Sequence, residues 1–266
     1  MSADANPVGD FTIERDCAIA TITLDRPAKR NALTPESLRQ LQQLAEGLRD
    51  EPDIRAVIVR AEGEHFSVGA DISAMGGKPE PTVQLRRTAE QGARLMRAIR
   101  EIHQPTICVV QGIATGGATC IATACDFRIA TTSTRMGYGE VKLGINLMWN
   151  ALPLAVELVG AARAKRMVMT GDLIDAATLY DWGFVDDVVD TADRDSAALA
   201  MAQRYAALPP VAVQMIKRSV NALSGALSAS IMHADADQWL LGTKTADFAE
   251  ALTAFRDKRP GNYSGN

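Results

Sequence analysis

The sequence predicts an α/β fold with parallel strand pairings, followed by an all-helical C-terminal region. Three observations carry that prediction. Short apolar, β-branched runs alternate with helical stretches through roughly the first 190 residues. Two of those runs lead directly into glycine-bearing turns, as strands do where they hand over to helices. From about Asp193 almost to the end, no strand-like run occurs.

Residues 11–24 read as two short strands, FTIERD and AIATITL. Thr34-Pro35 then opens a helix, with Thr34 as N-cap and proline at the first helical position. Its apolar residues Leu38, Leu41, Leu44 and Leu48 recur at helical spacing. AVIVRA (56–61) is a strand that runs into the turn EGEHFSVGAD. SAMGGKPEPT (73–82) carries two Gly and two Pro and is expected to be a mobile loop before a helix from about Val83 to Ile102. TICVVQG is the next strand, ending near Ala114-Thr115-Gly116-Gly117, and ATCIATACD reads as a short buried helix. Strand FRIATT follows.

The 266 residues, 47% hydrophobic and 23% charged, suit one large globular domain or a domain with an appendage. A net charge of -4 argues against a nucleic-acid or membrane-surface partner, although local basic spots can still grip a small phosphorylated ligand. Cys17, Cys108, Cys120 and Cys125 form no CxxC pair and are expected to be buried free thiols, which suits a reducing, cytoplasmic setting. The N-terminus lacks the pattern of a secretory signal, and no apolar run has transmembrane length. His65, His103 and His233 lack metal-ligand spacing, so no metal site is expected. No GxGxxG, GxxxxGK[ST] or GxSxG occurs either.

Chemistry is expected at the two glycine turns, His65–Ile72 and Gln111–Ala118. Glycine lets backbone approach a ligand, and a helix N-terminus presents unpaired N–H groups to negative charge. Two such turns side by side offer two donors to one developing oxyanion. Each turn alone also reads as a plain strand-to-helix connection.

Six segments in order resemble the enoyl-CoA hydratase/isomerase, or crotonase, superfamily over nearly the whole chain: LDRPAKRNAL (24–33), HFSVGADISAM (65–75), QGIATGGATCIATACDFRIAT (111–131), GYGEVKLGI (137–145), GDLIDAATLYDWGFVDDVV (171–189) and AFRDKRP (254–260). The resemblance implies a crotonase-like spiral of ββα repeats over residues 1–191, then a helical region, 192–266, that builds homotrimers or hexamers. It also implies an acyl-CoA thioester substrate, with no cofactor beyond the substrate's own coenzyme A. On that resemblance the thioester oxygen is held by the backbone N–H groups of Ala70 and Gly117. Val68, Asp71 and Ile72 fall on the CoA-binding stretch with Ala70. Lys29 and Arg30 match basic positions near the CoA phosphates, and Lys258 matches one that reaches a neighbouring subunit's CoA. Plain surface charge is the other reading of these three cations.

Two departures bear on the reaction. Hydratases of the superfamily carry two glutamates; here the first position is Cys120 and the second is Glu140. One carboxylate suffices to move a proton between two carbons, so double-bond isomerisation is preferred. Hydration with a non-standard second acid is the alternative, and a non-catalytic acyl-CoA-binding protein is the alternative from another class. Cys120 is expected to be a small apolar filler in the substrate site, although a helix N-terminus nearby can also favour a thiolate. Tyr138 is a candidate for orienting substrate or water. In the second departure, Asn146-Leu147-Met148-Trp149-Asn150 replaces a Gly- and Pro-rich turn. These bulky residues predict a reshaped, shortened acyl site, with ordinary packing as the other reading of Trp149.

Overall fold

The computed structural model of the chain describes residues 6–71 and 81–266. Ile72 and positions 73–80 of the expected loop lie outside the described residues.

Strands β1 (Asn6–Val8), β2 (Phe11–Asp16) and β3 (Ile19–Leu24) form an antiparallel meander. Helix α1 (Pro35–Arg49) leads to β4 (Ala56–Ala61), and α2 (Thr82–Arg100) to β5 (Thr106–Val110) and β6 (Ile113–Thr115). Next come α3 (Gly117–Ala124), β7 (Phe127–Thr131) and β8 (Arg135–Gly137). Then follow α4 (Ala151–Thr170), β9 (Ile174–Asp175), α5 (Ala176–Asp181) and β10 (Asp187–Val189). The main sheet has the order β1-β2-β3-β4-β5-β7-β10, parallel from β3 onward, and β6-β8-β9 form a second, smaller sheet. The parallel pairings require crossovers, which the helices supply.

Alternation within strands sorts the core into two layers. Val57 and Val59 of β4 join the large cluster with α1, α2 and α3, whereas Ala56 and Ile58 point to the other face with Ile107, Val109 and Ile129. Both faces of the central strands are covered, which is why AVIV and TICVV read as unbroken apolar runs. Helix α6 (Arg194–Ala206) covers the second face through Ala198 and Ala202. The remaining helices are α7 (Pro210–Ser224), α8 (Ala229–Met232), α9 (Asp235–Gly242) and α10 (Ala246–Asp257). No described helix is long and apolar enough to cross a membrane.

The start of α1 follows its sequence signature: the Thr34 hydroxyl accepts from Ser37 N at 3.0 Å and the Ser37 hydroxyl accepts from Thr34 N at 3.1 Å. One expectation fails at Cys17. It lies exposed in the tight β2–β3 turn at φ 52°, because the left-handed conformation of that turn aims its side chain at water. Cys108, Cys120 and Cys125 are buried free thiols.

Candidate active site

Three chain segments are stitched together beneath the candidate site. Asn31, buried and left-handed at φ 53°, donates to the carbonyls of Glu62 and His65 and accepts from Arg26 N. Its own carbonyl accepts from the Ser67 hydroxyl, which in turn accepts from Gly69 N. Val68 N donates to Arg30 O at 3.1 Å, and Asp71 N to Leu33 O at 2.9 Å. On the other side, Ser67 N donates to Ile113 O and Thr115 N to Ser67 O. The segments holding Lys29 and Arg30, Val68 to Asp71, and Thr115 to Gly117 therefore form one continuous surface.

The two turns meet closely at Gly69, whose φ of 80° favours glycine. A Cβ there would overlap the Thr115 carbonyl and lie 3.4 Å from Gly117 N. Among the described residues, neither Ala70 N–H nor Gly117 N–H has a hydrogen-bond partner. For Gly117 this follows from its place as the first residue of α3, where N–H groups have no intrahelical acceptor.

Gly116 adopts φ 55° and ψ -125°, a conformation essentially reserved for glycine. Its N–H donates to Gly137 O, and the Thr119 hydroxyl bonds the carbonyls of both Ala114 and Gly137 at 2.9 Å. This ties the start of α3 to the end of β8, three residues before Glu140. Glu140 opens a 3₁₀ turn, Glu140–Leu143. Its carboxylate lies against Gly116, where an added Cβ would sit 3.3 Å from Oε1. Oε2 is buried and accepts no hydrogen bond from any described residue. Burial pushes this carboxyl up to about 7; a backbone hydrogen bond opposes the shift and the nearby Asp235 charge adds to it. A carboxyl poised there can take up or release a proton near neutrality.

Trp149 is buried with its indole between α2 and α3. A Cβ on Gly117 would overlap its six-membered ring, and one on Gly92 its five-membered edge. Cys120 is also buried, one turn into α3, and burial with the charges of Glu140 and Asp235 pushes its thiol well up. That overturns the thiolate reading: the apolar surroundings outweigh the helix N-terminus, and Cys120 is a packed neutral filler. Tyr138 is likewise not aimed at substrate, because its buried hydroxyl pairs with the Thr123 hydroxyl at 2.6 Å.

Asp235 carries no motif and escapes the sequence reading, as do Asn31 and Gly92. Asp235 begins α9, accepts from Asn150 N at 3.1 Å, and is raised chiefly by its own burial. Only the fold brings α9, almost a hundred residues further along the chain, to Glu140. Lys29 and Arg30 are exposed beside the Val68 segment of this surface. Lys258 is exposed at the C-cap of α10. The other end of that helix packs at Phe248 against Gly144, so Lys258 stands roughly 15 Å along the axis from that contact. Its own chain does not bring it to Glu140.

The enoyl-CoA hydratase/isomerase family model matches residues 14–266. A short-chain-enoyl-CoA hydratase of Clostridium acetobutylicum is 30% identical over 253 residues, covering 95% of this chain and 96% of the relative. A 1,2-epoxyphenylacetyl-CoA isomerase of Escherichia coli is 26% identical over 249 residues, covering 93% and 95%. Among solved structures, an enoyl-CoA hydratase from Mycobacterium avium subsp. paratuberculosis superposes with a TM-score of 0.87 at 26% identity, covering 97% of this chain and all of that one. Its fold is therefore the crotonase fold that the sequence resemblance implied, and the chain belongs to the enoyl-CoA hydratase/isomerase family.

Proposed function

We propose that the chain isomerises the double bond of an enoyl-CoA thioester through a stabilised enolate. The thioester oxygen accepts from Ala70 N–H and Gly117 N–H, and the positive end of α3 adds to that stabilisation. The Glu140 carboxylate removes a proton from C2 of a 3-enoyl thioester. Charge moves onto the thioester oxygen, the double bond shifts from C3–C4 to C2–C3, and the same carboxyl returns the proton to C4. No water or redox group enters the balance. The observation that carries this reading is the buried Glu140 carboxyl, whose Oε2 has no partner, beside the Ala70 and Gly117 N–H groups, which have none among the described residues, with Cys120 where a second acid would stand. CoA lies along Val68, Ala70 and Asp71, with its phosphates towards Lys29 and Arg30. The working unit is a cytoplasmic homotrimer or pair of trimers, in which Lys258 serves a neighbour's CoA.

Hydration is the second reading, and one observation favours it: Asp235 is a second carboxyl near enough for its charge to raise both Cys120 and Glu140. Incubation with 3-enoyl-CoA and 2-enoyl-CoA in heavy water separates the two. Isomerisation predicts double-bond migration and deuterium at C2 or C4, all lost in Glu140→Gln. A 3-hydroxyacyl product that disappears in Asp235→Asn favours hydration instead. Binding of CoA esters with no exchange in wild type would reduce the chain to an acyl-CoA binder.

A further inference from the structure

We propose that Trp149 is the stop that closes the acyl end of this site and restricts it to short acyl groups. The inference rests on the enoyl-CoA reading above and adds the substrate class to it.

The indole occupies a slot made for it. Gly92 of α2 and Gly117 of α3 present bare Cα atoms to its two edges, and a side chain on either would overlap the ring. Trp149 therefore spans the gap between the two helices at 8% exposure. Its backbone is held as deliberately as its ring. Trp149 and Asn150 adopt φ 65° and 58°, two successive left-handed residues that L side chains rarely take. Such a pair persists only where its surroundings hold it. Asp235 from α9 does so by accepting from the Asn150 backbone N–H at 3.1 Å.

The position of this wedge matters because of what it touches. Gly117 carries one of the two unpaired N–H groups, and the Glu140 carboxylate lies on the adjacent Gly116. A thioester oxygen held at Gly117 and a C2 proton facing Glu140 start the acyl chain at these two glycines. The same Gly117 is roofed by the six-membered ring, so the chain meets indole within a few carbons. Cys120, one turn along α3, and Leu147, two residues before Trp149, are buried as well.

The test is calorimetric affinity for saturated butyryl-, hexanoyl-, octanoyl- and decanoyl-CoA, which bind without reacting, on wild type, Trp149→Ala and Trp149→Phe. Each methylene that can be buried strengthens binding roughly fourfold. Wild-type affinity is expected to level off beyond about six acyl carbons, where added methylenes stay in water. Trp149→Ala is expected to continue rising by roughly fourfold per methylene for two or three more, with Trp149→Phe between. Unchanged affinity for CoA itself shows that the variants keep their fold. Wild-type affinity that climbs steadily to decanoyl-CoA overturns the proposal even if Trp149→Ala does not fold, and so does a plateau that neither variant moves. Failure of every thioester to bind wild type would sink the enoyl-CoA reading itself, whereas normal binding with a fixed plateau sinks only the Trp149 stop.

Discussion

A carboxylate with one oxygen buried and unpartnered is a costly group, and Glu140 is one. Its titration near 7 makes two expectations. Catalysis by the carboxylate form gives kcat/KM that rises with pH through a midpoint near 7, and Glu140→Gln lowers it by about 10²–10⁴ on the plateau above 7 and removes the rise. Stability runs the other way. The folded carboxyl titrates near 7 and the unfolded one near its ordinary 4.5, so between these values the native state binds more protons. The stability this group contributes is complete below the unfolded value and is lost as pH rises through 7. Glu140→Gln is therefore expected to be about 1–3 kcal/mol more stable than wild type at pH 8 and no more stable at pH 4, read by urea denaturation. Gly69 gives the opposite outcome. With φ 80° and the Thr115 carbonyl where a Cβ would go, Gly69→Ala should lose about 1–3 kcal/mol and displace Ala70 N–H. A stability equal to wild type would show that the two turns are not held in contact there.

At the scale of elements, α3 and α9 divide what the sequence shows from what it hides. The start of α3 was legible because glycine after an apolar strand has few uses: Gly116 takes a backbone conformation reserved for glycine, and Gly117 leaves room for the Trp149 ring. The central strands β3, β4, β5 and β7 were legible because they are mostly buried and rich in β-branched residues, whereas the short, unburied edge strands β1 and β10 were not read. Strands β6 and β8 were not, since three-residue elements carry no periodicity. Cys17 was misread for a related reason: local apolar context says nothing about which way a tight turn points its side chain. Helix α9 was unreadable as part of the site because it reaches Glu140 through tertiary packing alone. Its Asp235 charge raises the Glu140 carboxyl, so Asp235→Asn should move the rising limb of the pH profile to lower pH. Asparagine keeps an acceptor for Asn150 N–H, which separates the loss of charge from the loss of the Trp149 turn. An unmoved limb would mean that the charge of Asp235 is screened from Glu140.

For the whole molecule, the expected homotrimer has a physical basis in α7. No residue of this helix is buried, and Val211, Met215, Ile216, Val220 and Leu223 are all more than half exposed. Leu227, just beyond it, is 85% exposed. A cavity of about 730 Å³ separates α7 from α2, and another of about 500 Å³, with Phe127, Leu158 and Tyr205 in its wall, lies under its other flank. A helix so loosely seated and so apolar outside is costly to leave in water, whereas a subunit interface would bury both the stripe and the open flanks. Second and third copies of this chain are the expected occupants. Analytical ultracentrifugation of wild type should give a species of three or six subunits, and the double variant Ile216→Glu, Leu223→Glu should sediment as a smaller one. Because Ile216 and Leu223 are exposed on α7, the dissociated variant should retain its fold by circular dichroism. If Lys258 serves a neighbour's CoA, dissociation also raises KM for the CoA thioester more than it lowers kcat. A wild-type monomer with full affinity would assign the α7 stripe to a different partner and leave Lys258 as plain surface charge.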